Sequence, residues 1–206
     1  DGNNNFRYGF KVENSVELSS TLKLPVTLQE PMQISGFFDG ESQKLGLRVD
    51  APDLMFNTKH LYNNEVHIDS KDSLMSLALR TQTYNKKGQF TGISFDTDIK
   101  GNNILSRINW SNNGDTTFCG EISTCARLLD SDNTVGLHID VLPTQIIIGD
   151  SIWQIFPATI DIAEGKGRIG RIEVRHKEQY LHIDGTVSKE PSDMLNLSLN
   201  DLSLDY

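Results

Sequence analysis

The sequence predicts an all-β chain: an elongated, open β-sheet curled into a groove with an apolar concave interior. Three observations carry that expectation. Apolar residues recur at every second position in run after run of the 206 residues, the period that lines up side chains on one face of a strand. Clusters of Gly, Asn and Asp ("GNN", "SNNGD", "DSDN", "AEGKG") separate the runs, at the roughly 8–12-residue spacing of turns in all-β proteins. The alternation also continues to the end of the sequence, where Leu195, Leu197 and Leu199 follow Leu181, Ile183 and Val187 on odd numbers. An apolar face that reaches the last residues implies a sheet that continues. The chain is therefore expected to be one module, 1–206, cut from a longer protein.

In chain order, strands are expected over "VELSSTLKLPVTL" (16–28), "KLGLRV" (44–49), "GISFDTDI" (92–99), "SRINW" (106–110), "TQIIIGD" (144–150), "ATIDI" (158–162), "RIEV" (171–174) and "YLHID" (180–184). Two stretches are ambiguous. "DSLMSLALR" (72–80) has apolar residues at both helical and strand spacing. Leu195, Leu199 and Leu202 fit a helical stripe that Leu197 and Leu204 break. Both are read as strands. One internal echo runs through the pattern: "ISGFFDGESQKLGLRVDAPDL" (34–54) and "IDGTVSKEPSDMLNLSLNDL" (183–202) share Ile-x-Gly, a polar turn, alternating apolars and Asp-Leu. Two copies point to a unit that stacks rather than closes.

Composition excludes several classes. A net charge of −9, a pI near 5.0 and the lack of any Lys/Arg cluster set aside nucleic acid and anionic membrane surfaces. No stretch approaches the roughly 20 apolar residues that span a bilayer, and "DGNNNFRYGF" carries neither an initiator Met nor a signal peptide. Cys119 and Cys125, in "CGEISTC", lie about 20 Å apart if the stretch is extended, too far for a disulfide. Two buried thiols are the favoured reading, and only a turn between them would permit a bridge.

The motifs that could carry chemistry have plainer readings. "GKGRIG" (Gly165, Gly167, Gly170) has the letters of a dinucleotide loop, but the strand-like "RIEV" follows it where a helix is required. A glycine hairpin between "ATIDI" and "RIGRIEV" is expected instead. "HID" occurs at His67, His138 and His182, each with an Asp two residues on (Asp69, Asp140, Asp184). Such pairs share a strand face and could ligate a metal. Their neighbours are apolar, which makes His and Asp the solvent face of half-buried strands, and no metal is expected. Asp96 with Asp98, and Asp130 with Asp132, have the look of paired catalytic carboxylates, yet "DSDNTVG" lacks a calcium-loop pattern and turn chemistry accounts for them. Neither a G-x-S-x-G elbow nor an H-E-x-x-H helix is present, so no enzyme and no cofactor is expected. "NWS" at Asn109 and "NLS" at Asn196 match glycosylation sequons of low specificity.

The last third, "IIIGDSIWQIFPATIDIAEGKGRIGRIEVRHKEQYLHIDGTVSKEPSDMLNLSLNDLSLDY", resembles the TamB branch of the AsmA-like superfamily in its Bacteroidetes forms. The matching features are Asp150 and Trp153 before Pro157, a glycine hairpin, "LHIDGTVSKEPSD" and leucines ending in "NDLSLDY". The likeness covers about residues 115–206 and weakens before them. It implies a β-taco groove within a cell-envelope protein that is anchored in the inner membrane and crosses the periplasm. It further implies phospholipid transport between the membranes, outer-membrane biogenesis, adjoining repeats of the same parent chain and an outer-membrane barrel protein as partner. Relative to a full member the chain lacks the N-terminal anchor and the remaining repeats.

The pattern alone leads the same way. A closed barrel or sandwich covers its own apolar face, whereas an open one-sided sheet leaves a surface that needs a ligand or partner. Phospholipid acyl chains would fill it, and the groove-lining residues are expected to be Leu45, Leu47, Val49, Ile160, Ile162, Ile172, Val174, Leu181, Ile183, Leu195, Leu197 and Leu199. The competing reading is a surface or secreted β-solenoid binding module, an adhesin or carbohydrate binder, which exposed aromatics at strand ends would favour.

Overall fold

The computed structural model describes residues 5–15, 19, 25–84, 88–112, 118–131, 134–149 and 151–201. The all-β expectation is met: these residues form sixteen strands in antiparallel pairing. Among them no helix is long and apolar enough to cross a membrane, a statement that does not bear on β-barrels. The sequence reading takes 1–206 as one module. The strands group into two compact units, Asp1–Gly101 with Trp110–Gly114, and Asn102–Asn109 with Asp115–Tyr206.

The first unit contains β1 (Asn5–Val12), β2 (Val26–Leu28), β3 (Met32–Asp39), β4 (Lys44–Phe56), β5 (Lys59–Lys71), β6 (Leu74–Tyr84) and β7 (Phe90–Lys100). Their order is β1-β3-β4-β5-β6-β7, with β2 on β4. The ambiguous stretch "DSLMSLALR" is thus a strand. Direct partners show how cleanly the faces separate. Ile34, Val49, Val66, Leu79 and Phe95 form one row across five strands, and Ser35, Arg48, His67, Ala78 and Asp96 form the next row on the other face. Across from Gly36 sits Tyr8, and across from Gly46 sits Phe37. A Cβ at Gly36 would lie 2.5 Å from the Tyr8 hydroxyl and 2.6 Å from the Gly46 carbonyl oxygen, so each glycine makes room for an aromatic ring on the neighbouring strand.

The expectation of a strand over 16–28 is met at Val26–Leu28 and not at Ser19 or Pro25. Residues 16–18 and 20–24 lie outside the described residues. At Ser19 the chain is helical, its N–H donating to the Ser15 carbonyl at 2.7 Å. The serines explain the difference. Ser15 and Ser19 hydroxyls both donate to the Val26 carbonyl, and Ser15 Oγ accepts the Leu28 N–H at 3.0 Å. Serine side chains that bind nearby backbone compete with the ladder and favour a turn.

Strand β8 (Asn103–Asn112) contributes residues to both units. The second unit continues with β9 (Phe118–Ser131), β10 (Thr134–Val141), β11 (Thr144–Ile148), β12 (Ser151–Ile155), β13 (Ala158–Ala163), β14 (Lys166–His176), β15 (Gln179–Val187) and β16 (Leu195–Asn200). The pairings resolve into a meander. β10 and β11 run end to end beside β9, and β12 and β13 run end to end beside β14. The two breaks face each other: Val141 pairs with Ala158 and Thr144 with Ile155, leaving Leu142-Pro143 opposite Phe156-Pro157. Proline supplies no N–H, so neither strand can carry an unbroken ladder through that level. The preceding residues bond outward instead, Leu142 N–H to the Ser123 carbonyl and Phe156 N–H to the Glu173 carbonyl, each at 2.9 Å.

The irregularity spreads to β14, which carries one extra residue between Ile169 and Ile172 where β15 spans only Gly185 to Ile183. This is a β-bulge, and it reverses the facing of every residue beyond it. Strand β5 has a similar device, one extra residue between Tyr62 and Glu65 relative to β6, with Asn63 at φ 50°. The glycine hairpin expected at "GKGRIG" is the β13–β14 connection, with Glu164 and Gly165 at positive φ.

The echo of 34–54 in 183–202 corresponds to two hairpins, β3–β4 and β15–β16. Gly185 in the second sits at φ 122°, and a Cβ there would lie 2.3 Å from the Met194 carbonyl oxygen. Gly185→Ala should therefore destabilise the chain by about 2–4 kcal/mol, from backbone strain and a clash with backbone that cannot yield. Gly167→Ala, on the neighbouring strand with nothing nearer than 3.9 Å, should cost less than about 1 kcal/mol. Urea denaturation of both variants checks the pair; equal midpoints would refute the hairpin geometry.

Candidate functional site

The register decides which side chains share a face. In the second unit Ile160 pairs with Ile169, Ile169 with Gly185, and Gly185 with Leu195. Ile172 pairs with Ile183 and Ile183 with Leu197; Val174 pairs with Leu181 and Leu181 with Leu199. Ile162 alternates with Ile160 on β13. All nine expected residues of this unit, Ile160, Ile162, Ile172, Val174, Leu181, Ile183, Leu195, Leu197 and Leu199, thus lie on one face. In the first unit Leu45, Leu47 and Val49 share a face with their partners Phe38, Gly36 and Ile34.

Sequence reasoning missed the middle of that face in the second unit. Trp153, Ile155 and Ile146 lie on it, joined through the Trp153–Ile146 and Ile155–Val174 pairs, and they are its buried part together with Ala126 and Ala158. Trp153 is visible in the sequence only as part of a motif; its burial follows from Ile146 paired on one side and the His176 ring 5.5 Å away. Toward β16 the face opens. Leu195, Leu197 and Leu199 are 48%, 62% and 52% exposed. Among the described residues β16 pairs only with β15, so its leucines have no other described strand beside them. An exposed row of leucines on an edge strand without Lys or Pro is unusual for a surface left to water.

The opposite face is polar and cross-linked. His138 lies between two carboxylates, its Nδ1 2.5 Å from Asp161 Oδ1 and its Nε2 3.3 Å from Asp140 Oδ1. Glu173, mostly shielded, holds Arg175 at 2.6 Å, His182 at 3.2 Å and Arg171 at 3.3 Å. His67 faces Glu65 at 3.7 Å, and Asp96 accepts from Arg80 at 2.6 Å. Asp98 accepts from the Ser76 hydroxyl at 2.5 Å. Each histidine is therefore on the polar face of its own unit, as expected; His138 and His182 are paired with carboxylates, whereas His67 Nε2 has no hydrogen-bond partner among the described residues. No group of three or more His, Cys, Asp and Glu among the described residues is arranged to hold a metal ion. The Asp130 side chain and Asp132 lie outside the described residues.

Cys119 and Cys125 form no disulfide among the described residues; they lie on one extended strand and are half-buried rather than buried. The "SKEPSD" segment builds the β15–β16 connection. Ser188 donates to Asp193 at 2.5 Å, Lys166 reaches the same carboxylate at 2.9 Å, and the Glu190 N–H donates to Ser188 Oγ at 2.9 Å. The Ser188 hydrogen bond, with Lys166, lowers the Asp193 pKa.

No family model, curated protein or solved structure matches the chain.

The His138 arrangement has a measurable consequence. Its hydrogen bond to Asp161, joined by the charge on Asp140, raises its pKa. Stability from the pair is complete below the unfolded imidazole value of about 6.5 and is lost as pH rises through the folded value. Ring-carbon NMR titration should place His138 above about 6.5, and Asp161→Asn should bring it back down. A titration midpoint that Asp161→Asn leaves in place would show that the contact is not the cause.

Proposed function

We propose that the apolar face receives phospholipid acyl chains, as a periplasmic module of a TamB/AsmA-like envelope protein acting in lipid transport between inner and outer membranes and in outer-membrane biogenesis. One observation carries this reading. Nine apolar side chains share a face of the second unit, and the three on β16 are about half exposed or more. Water is a poor neighbour for that row, whereas each acyl CH₂ buried against it contributes about 0.8 kcal/mol. A ligand that is long, apolar and indifferent to hydrogen bonding fits a face with no polar side chain between Leu195 and Leu199. The intervening Asn196 points to the other side, where it donates to Asp184 at 3.2 Å. Adjoining repeats of the parent chain would pair with the edge of β16, and an outer-membrane barrel protein is the partner the reading implies.

A glycan-binding surface module is the second reading. It draws on Phe6, Tyr8 and Phe10 in β1, whose rings follow one another at 6.2 and 6.1 Å with both phenylalanines 53% exposed. These rings share the face of Leu45 and Leu47, which favours apolar chains over sugars.

A photo-crosslinker at position 197 should capture phospholipid in bacteria, and one at 198 should not. Leu197→Asp in the full-length parent should block lipid passage, because an unpaired charge cannot be solvated by acyl chains and costs several kcal/mol. Ser198→Asp, on the opposite face, should be tolerated. Equal crosslinking at both positions, or capture of glycans in place of lipid, would overturn the assignment.

A further inference from the structure

We infer that the polar face of the second unit carries a binding site for a soluble phosphate ester, built by the bulge in β14. The site rests on a different face from the acyl surface and stands independently of it.

The argument starts with parity. In a regular strand, residues three apart point to opposite faces. The extra residue between Ile169 and Ile172 cancels that, so Arg168 and Arg171 both belong to the polar face. They line one cleft of about 680 Å³. Thr186, the direct partner of Arg168 on β15, and His182 and Ser198 further along line it too.

Charge then selects the ligand. The protein is acidic overall, at −9, yet four of the eleven residues of β14 are basic: Lys166, Arg168, Arg171 and Arg175. Lys166 and Arg175 are committed to Asp193 and Glu173. Arg171 is held by Glu173 and lies 3.0 and 3.1 Å from the ring nitrogens of His182, which fixes its guanidinium in place. Among the described residues the Arg168 side chain makes no ion pair or hydrogen bond, its register partner on β13, Asp161, being taken by His138. The cleft's one carboxylate, Asp184, already accepts from Asn196. What remains among the described residues is one positioned guanidinium, one guanidinium without a partner and a threonine hydroxyl without one, around a common space. Two guanidiniums and a hydroxyl suit a phosphate, which accepts bidentate, charge-assisted bonds on several oxygens. The imidazole and the Ser198 hydroxyl beyond them suit a polar body such as glycerol or a sugar. Apart from Ile169 the cleft's side chains are polar or absent, which leaves no apolar surface for acyl chains beside the phosphate, so the ligand is a soluble ester.

The test is calorimetric titration of the chain with glycerol 1-phosphate, with inorganic phosphate and phosphatidylglycerol vesicles as comparison probes. Saturable binding of glycerol phosphate, weakened about tenfold or more by Arg168→Ala and also by Thr186→Val, is expected. The Arg168 side chain is exposed and makes no ion pair or hydrogen bond among the described residues, so its variant should keep the parent's circular dichroism and melting temperature. Leu197→Asp should leave this binding unchanged, which separates failure of this site from failure of the acyl surface. Absence of saturation at tens of millimolar, unchanged affinity in Arg168→Ala, or binding to vesicles without binding to the soluble ester would each overturn the assignment.

Discussion

The backbone ladder is the constraint from which the other features follow. Each strand must satisfy its N–H and C=O groups sideways, on its neighbours. Once partners are fixed, every side chain's face is fixed with them. The apolar row from Ile160 to Leu195 and the polar row of Arg127, His138, Asp161 and Arg168 follow from the same pairings. Where the ladder fails, at Pro143, Pro157 and the bulge of β14, the faces change phase. Chemistry that the two-residue period would separate is there brought together.

The two faces ask different things of their residues. On the apolar side, burial is concentrated at Trp153, Ile155 and Ala158 and falls away toward β16. On the polar side, cohesion comes from cross-strand charge: His138 ties β10 to β13, and Glu173 with His182 ties β14 to β15. Exposed pairs of this kind contribute little singly, and their arrangement in rows along the register makes them guides to pairing as much as sources of stability. β14 serves both sides, with Ile169, Ile172 and Val174 on one and Arg168, Arg171 and Glu173 on the other.

Much of this was legible in the sequence for a simple reason. A period of two is a local property, so Leu195, Leu197 and Leu199 could be placed on one face without knowing their partners. The hairpin at "GKGRIG" was legible because a strand follows it. What could not be read was anything that depends on which strand lies beside which. His138 was assigned to the polar face, but Asp161 as its partner lies 23 residues away and is set by register. At Ser19 the strand expectation fails because its hydroxyl and that of Ser15 find the Val26 carbonyl, a contact that no alternation records. Trp153 and Ile155 cannot be read as lining residues from the alternation, because the phase change at Phe156-Pro157 hides their kinship with Ile160.

Alternation has a weakness that the opposed prolines cure. A strand that slips by one residue turns its apolar side to water and is rejected at once, but a slip by two keeps every leucine inward. In a sheet of near-uniform Ile, Leu and Val, such slipped pairings are close competitors of the native one. Leu142-Pro143 and Phe156-Pro157 are compatible only when they stand level, because a proline moved two places along would meet a carbonyl that needs a donor. The break in the ladder thus acts as an index mark, converting a repeat that is ambiguous by two into a single alignment.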